Sequence, residues 1–523
     1  MRIFLIQGSE FLVKGPVSAE YKEFGRLKRK KKFLGNSVID LPPMGLLYMA
    51  STLIEEGHEV FVLDTPTLQL NIAETLEEIN RFQPDLVGIS IYSGFRNNMY
   101  ILSQELRTVF KGPLVAGGPH CTAMRELVME EFEDVNFLLS GEAETTLIDL
   151  IKCLEGDRDF SKVPSLSYRN GSETVHSGMP YLNDTAVLET APLPARHLLE
   201  ESYKAGFYFS ILSSAKRTDC LVSSRGCTSK CTFCYQEDVE RSARFRSVKN
   251  VVEEIEQLVA MGVTNLEIMD DNFILNKKRC HAILDQLLEK KIKMSYRVRS
   301  RVTSAEYELW AKLKKAGVYA ISFGMEAGSQ KMLNIMRKGT TVEQNARAAK
   351  ITKESGMLCF TSWNFGMPGE TPETIKESGE HIMNEVRPTT VAFYVSQPLP
   401  MTPLYEEVKA NGTCMGDWSA KHNRMPYIKL DWIENLQDIS DVVKNLEKQV
   451  KTKPWFIMGI LKQLLHSPNI HIIRHAWRYL KGYQFNRIFM QGSMAAQQGR
   501  PDGNSIGETV DLEVMPTWRK DFI

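Results

Sequence analysis

Arg225-Gly226-Cys227-Thr228-Ser229-Lys230-Cys231-Thr232-Phe233-Cys234-Tyr235 packs three of the chain's nine cysteines into eight residues. The spacing is C-x3-C-x2-C, in a loop just after the apolar run Cys220 to Ser224. Three thiolates on one short loop can ligate three irons of a [4Fe–4S] cube, which leaves the fourth iron without a protein ligand. Structural zinc wants four ligands, usually from two C-x2-C pairs, and no second pair exists here. An electron-carrying cluster would want a fourth cysteine. The open iron is the functional point, because a small molecule can bind there. Downstream, the strand-like stretches 264–270, 293–299, 320–326, 358–367 and 390–396 alternate with helical ones such as 248–262. Five or six such βα units make a partial or full parallel barrel, bounded here at 216–413.

Upstream, residues 1–155 show the same alternation. Ile3 to Ile6 is a strand, Pro42-Pro43 precedes an amphipathic helix from Met44 closed by Gly57, and 58–64 is a strand. Helices over 72–82, 98–110 and 123–131 alternate with strands after Pro84, at 113–118 and at 135–141. The pattern predicts a doubly wound parallel sheet, Rossmann-like, whose ligands sit at the C-terminal ends of the strands. Three strand ends there are rich in small residues: Ser90-Ile91-Tyr92-Ser93-Gly94, Gly117-Gly118-Pro119-His120 and Ser140-Gly141-Glu142-Ala143-Glu144. Glycine there lets a bulky ligand lie against backbone. Residues 156–215 read as a Pro-containing linker with a few short strands, 414–490 as a helical section, and 491–523 as a Gly/Gln/Pro-rich tail.

The 523 residues are 43% hydrophobic and 24% charged, which is ordinary globular composition and excludes a disordered or low-complexity chain. Lys+Arg and Asp+Glu are both 64, so a uniformly basic nucleic-acid coat is excluded. That zero is a cancellation. Between Glu447 and Asp502 lie nine Lys/Arg, from Lys448 to Arg500, and no acid, so the rest of the chain sums to −9. The basic run Arg26 to Lys32 reads as a solvated loop. The apolar start is too short for a signal peptide, no stretch is long enough to span a membrane, and scattered cysteines fit a reducing cytoplasm.

The cysteine triplet resembles the radical S-adenosylmethionine (SAM) superfamily, over about 215–410. The resemblance implies that Cys227, Cys231 and Cys234 hold a [4Fe–4S] cluster whose open iron chelates SAM. Reductive cleavage of SAM would then yield a radical that abstracts hydrogen from the substrate. It further implies Tyr235 as the aromatic near the adenine, and SAM contacts from Asp270 in Asp270-Asp271-Asn272, from Arg297 and Arg299 on one strand face, from Glu326 in Gly324–Ser329, and from the turn Gly366-Met367-Pro368-Gly369-Glu370-Thr371. For the carboxylates and the arginines, solvated strand ends and structural ion pairs are the competing readings.

The order of sheet domain then triplet resembles the cobalamin-binding domain of B12-dependent radical SAM proteins, over about 1–150. Ser90, Tyr92, Gly117, Gly118, His120, Gly141 and Glu142 would contact cobalamin. The Asp-x-His-x-x-Gly motif that supplies a cobalt-ligating histidine in other B12 enzymes is absent. His120 is therefore expected to pack on or hydrogen-bond the cofactor.

The resemblance implies a C-methyltransferase acting on a small molecule, lipophilic ones among the candidates, with SAM as radical source and methyl donor. A non-methylating reaction like the anaerobic cyclase of Mg-protoporphyrin ester is the alternative. A sensor or electron carrier without turnover is the third reading, and the open iron argues against it. A flavodoxin or ferredoxin would supply electrons, and nucleic acid is not expected as a partner. The cationic apolar section 448–501 is either a lid over the barrel mouth or a peripheral membrane contact.

Overall fold

The computed structural model describes residues 1–18, 21–22, 39–171, 173–178, 182–210, 215, 217–236, 242–433 and 435–466. The basic run 26–32 and the tail 491–523 lie outside the described residues, as does most of the cationic block.

The first sheet joins β1 (Arg2–Gln7), β2 (Glu59–Asp64), β3 (Leu86–Ser90), β4 (Leu114–Gly117), β5 (Phe137–Leu139), β6 (Leu166–Asn170) and β7 (Glu173–His176). Their spatial order is β2-β1-β3-β4-β5-β6-β7. The first five are parallel and the last two antiparallel. Strand β1 explains the double winding. Phe4 and Ile6 feed the core on one face, Ile3 and Leu5 the core on the other, and all four are buried. A strand buried on both faces reads as an unbroken apolar run. The order reverses between β1 and β3, and a sheet of this topology binds ligands at that crevice.

The hairpin β6–β7 corrects the expected boundary at 155. Residues 166–176 belong to the first sheet rather than to a linker. Their sequence alternates weakly because β7 is exposed to half-buried and the strand ends are polar.

The second sheet joins β8 (Thr218–Leu221), β9 (Asn265–Ile268), β10 (Ser295–Ser300), β11 (Val318–Glu326), β12 (Leu358–Phe365) and β13 (Thr390–Val395). All pairings are parallel and sequential, and β8 does not pair with β13. The barrel is therefore open, with six strands.

Residues 414–433 are not helical as expected. They form a strap with a short hairpin, Cys414–Met415 against Tyr427–Ile428. Helices α1 (Leu436–Lys451) and α2 (Pro454–His466) follow. Leu436, Ile439, Val443, Leu446 and Val450 of α1 join the barrel core, and Leu446 lies so close to Gly379 that an added Cβ would sit 2.7 Å from it.

Candidate functional site: two cavities sharing a wall

Two cavities flank the junction of the sheets. The first, about 650 Å³, lies between the C-terminal ends of the first sheet and the barrel strands β8 and β9. Ser90, Tyr92, Gly117, Gly118, Gly141 and Glu142 all line it, together with Asp64, Arg225 and Met269. Its floor is backbone. A Cβ on Gly117 would meet nothing closer than the Leu139 carbonyl at 3.9 Å, so the missing side chain is open space. Gly118 has φ +98°, and a Cβ there would press on Ser90 Oγ and the Ile91 carbonyl at 3.0 Å. Asp64 is buried, and desolvation raises its pKa to about 6 although Tyr208 Oη donates to it at 2.8 Å.

His120 departs from expectation. It is 1% exposed and does not line this cavity. Its ring turns inward, with Nδ1 3.1 Å from Ser93 Oγ and the ring centroid 6.5 Å from that of Trp418. Burial, then the nearby Arg96 cation, pushes its pKa down to about 3. Glu142 lines the cavity, but its carboxylate is already used: it pairs with Arg244 at 2.9 Å and Arg225 at 3.2 Å and accepts from the Asn183 amide at 2.8 Å. Arg225 also reaches Glu144 at 2.6 Å, so the residue two before Cys227 is tied to the first sheet.

The second cavity, about 480 Å³, opens inside the barrel and is lined by Cys227, Cys231 and Cys234. Gly226 starts the cysteine loop with φ +84°, and a Cβ there would sit 2.4 Å from the Ser242 carbonyl, so only glycine fits. None of the three is in a disulfide. Among the described residues no three Cys, His, Asp or Glu side chains converge on one metal-sized point. Arg301 Nη1 lies 3.7 Å from Cys231 Sγ, and its other arm donates to the Lys338 carbonyl. Lys338 pairs with Glu326 at 3.1 Å and sits over the Phe233 ring. Glu326 lines the cavity with φ +66°, at a register shift of β11 against β12. A non-glycine residue held in that region is strained, which is common at working sites.

The other SAM candidates divide. Arg297 and Arg299 line the cavity. Arg297 is ion-paired with Glu267 and donates to Ser322 Oγ at 3.2 Å. Asp270 does not line it. Its carboxylate accepts from Ser223 N (2.6 Å) and Oγ (2.5 Å) and from Ser224 N (3.1 Å) and Oγ (2.6 Å), which makes it a brace for the strand leading to the cysteines. Its neighbour Asp271 lines the cavity instead. Tyr235 does not line the cavity either. Its hydroxyl donates to the Pro119 carbonyl of the first sheet's domain at 3.4 Å, and Phe233 is the aromatic of the cysteine loop that lines the cavity. Gly366 and Gly369, with φ +87° and +79°, shape a turn outside the cavity lining. There the Gly366 amide donates to the buried Glu370 carboxyl, whose pKa desolvation lifts to about 8. Sequence reasoning missed Arg301, Lys338 and Asp271. Arg301 continues the alternation of Arg297 and Arg299 and could have been found by it.

Among the described residues, none from helices α1 and α2 lines the second cavity, and most of the section 448–501 lies outside the described residues. Met269 joins the two cavities. It lines the first, while Arg299 of the second lies 3.4 Å from its carbonyl and 3.6 Å from its sulfur.

Such a sheet with a backbone-floored cleft, set against an open barrel carrying a cysteine triplet, defines a class of iron–sulfur radical enzyme with a second, sheet-bound cofactor. Family models agree. Residues 221–382 match the radical SAM superfamily and residues 31–151 match the B12 binding domain. The chain thus joins a B12 binding domain to a radical SAM domain, and these imply a [4Fe–4S] cluster, SAM and cobalamin as its cofactors. It is similar to an uncharacterized methyltransferase of Pyrococcus horikoshii, at 29% identity over 74% of this chain and 83% of that one. It is similar to the anaerobic magnesium-protoporphyrin IX monomethyl ester cyclase of Cereibacter sphaeroides, at 26% identity over 82% and 72%. Its fold resembles the cobalamin-dependent SAM radical enzyme OxsB solved with aqua-cobalamin and SAM bound, with a TM-score of 0.67 and 18% identity over 94% of this chain and 72% of that one.

Proposed function

We propose that the chain is a cobalamin-dependent radical SAM methyltransferase that places a methyl group on carbon of a small molecule. The observation that carries this is the adjacency of the two cavities: Met269 lines the sheet-end cleft, and Arg299 of the cysteine-lined cavity donates to its carbonyl at 3.4 Å, so a substrate bound at that junction would lie beside both cofactors. When bound, the cluster supplies electrons, SAM the radical source and the methyl group, and cobalamin the methyl carrier. Cys227, Cys231 and Cys234 would hold the cluster. Glu326, with Lys338 against it, and Arg301 would orient SAM. The Ser90, Gly117, Gly118 and Gly141 backbone would carry cobalamin. The apolar strand interior around Phe323 and Phe360 excludes water from the reacting atoms.

Similarity to the cyclase supports a second reading, a non-methylating radical reaction. Anaerobic incubation with SAM and dithionite separates them. S-adenosylhomocysteine together with 5′-deoxyadenosine supports methyl transfer; deoxyadenosine alone supports the second reading; neither product, with an intact cluster, sinks both. Cys231→Ala is expected to abolish both products. The physiological electrons come, on this reading, from a flavodoxin or ferredoxin.

No helix among the described residues is long and apolar enough to cross a membrane. A surface contact is a separate matter. Helix α2 turns Phe456 into the core and leaves Ile457, Met458 and Leu461 about half exposed, at the start of the nine-cation block. An apolar helix face beside unopposed cations suits the surface of an anionic membrane. Of those cations, Lys451 is already paired with Glu447. Salt-sensitive binding to anionic vesicles, lost on Met458→Glu with Leu461→Glu, is the expected result; no vesicle binding discards the membrane role.

A further inference from the structure

Strand β10 and the residue that follows it bring three arginines, Arg297, Arg299 and Arg301, to the second cavity, and the three differ in what they already hold. Arg297 is paired with Glu267. Arg301 is bonded to the Lys338 carbonyl and lies against Cys231. Arg299 stands between them in sequence with only the Met269 carbonyl and sulfur, at 3.4 and 3.6 Å, and among the described residues no carboxylate reaches it at ion-pair distance. Asp271 lines the same cavity and, with Glu267, attracts Arg299 from beyond ion-pair distance. Burial lowers the pKa of Arg299 but leaves a guanidinium protonated at any physiological pH. A partly desolvated cation with no carboxylate in direct contact costs free energy that a ligand's anion would offset.

We infer that Arg299 is the anchor for an acid group on the substrate, so that the enzyme acts on a carboxylate or phosphate-bearing molecule held at the wall between the two cavities. The inference rests on the proposed function, since it places the substrate between the two cofactors. Position argues for the substrate over SAM as the source of that anion. The cysteine end of the cavity has its own cations, Arg301 and Lys338, whereas Arg299 leans on Met269, which lines the other cavity. The aromatic neighbours Phe323, Phe360 and Tyr394 give the rest of such a molecule an apolar seat. A guanidinium fork binds carboxylate or phosphate with two parallel bonds, which also fixes orientation.

The test needs binding, not turnover. Anaerobically reconstituted holoenzyme with SAM bound is titrated with benzoate, phenyl phosphate and the uncharged isostere benzamide. The acids are expected to bind roughly tenfold or more tightly than the amide, the scale of one charge-assisted bond. Arg299→Gln should erase that preference and Arg299→Lys should keep part of it. In both, cluster absorbance and SAM affinity should match the parent. Three results overturn the inference: no preference for acids over amide, including no binding of either; a preference that survives Arg299→Gln; or a SAM dissociation constant raised about tenfold in Arg299→Gln, which would assign the anion to SAM. Absence of S-adenosylhomocysteine in the turnover assay would count against methyl transfer alone and leave this binding result standing.

Discussion

At the scale of single residues, adjacent carboxylates do different work. Asp270 accepts four hydrogen bonds from Ser223 and Ser224, while Asp271 faces the cavity. Asp270→Ala is expected to lower stability by about 2–4 kcal/mol, because it strands buried donors. Asp271→Asn should change stability by less than about 0.5 kcal/mol. Chemical denaturation of both variants checks the contrast. His120 predicts a pH dependence. Its folded pKa, about 3, lies below the ordinary 6.5. The unfolded chain therefore takes up a proton first as the medium acidifies. The stability this histidine contributes is complete above about pH 6.5 and is lost as pH falls toward 3. Thermal melts from pH 7 to 4 should show a shallower decline in His120→Asn. The cysteine ligands were legible because their chemistry is in their spacing. The choice between Asp270 and Asp271, or between Phe233 and Tyr235, was not, because strand-end twist decides which neighbour faces inward.

At the scale of elements, the glycine strand ends were legible as ligand floors, and the structure separates two kinds of glycine among them. Gly118 needs its positive φ, whereas Gly117 only leaves room. Gly117→Leu is therefore expected to fold within about 1 kcal/mol of the parent and to lose most bound cobalamin, read from the corrin absorbance of the reconstituted protein. Gly118→Ala should instead lower stability by about 1–2 kcal/mol. Strands β1, β3 and β4 could be read from the sequence because both faces are buried. The hairpin β6–β7 could not, since exposed residues carry no alternation. The strap 414–433 does not form the expected helix because its buried residues serve two cores: Trp418, Ala420 and Met425 pack against the first sheet's domain, while Ile428, Leu430 and Ile433 join the barrel core.

At the scale of the whole molecule, ion pairs and buried hydrogen bonds tie the two sheets into one unit. Arg225 and Arg244 of the barrel hold Glu142 and Glu144 of the first sheet. These are buried pairs, and removing one partner leaves an uncompensated charge. Arg225→Gln is expected to cost about 3 kcal/mol and to split one thermal transition into two, seen by calorimetry.

The strap adds a second tie. Arg96 of the first sheet's helix Arg96–Val109 is fully buried, and its guanidinium donates to the carbonyls of Trp418 and Ser419 at 3.0 and 2.9 Å and to that of Arg424. Glu131 receives the Ala420 amide at 2.6 Å. Both groups belong to the part of the chain that leaves the ribosome first, and both wait for residues made some three hundred positions later. Until then the cofactor-binding half carries a cation and a carboxylate prepared for partners that do not yet exist. Its maturation therefore waits for the strap to be made, and the amino-terminal half expressed alone is an unfinished molecule rather than a small cobalamin carrier.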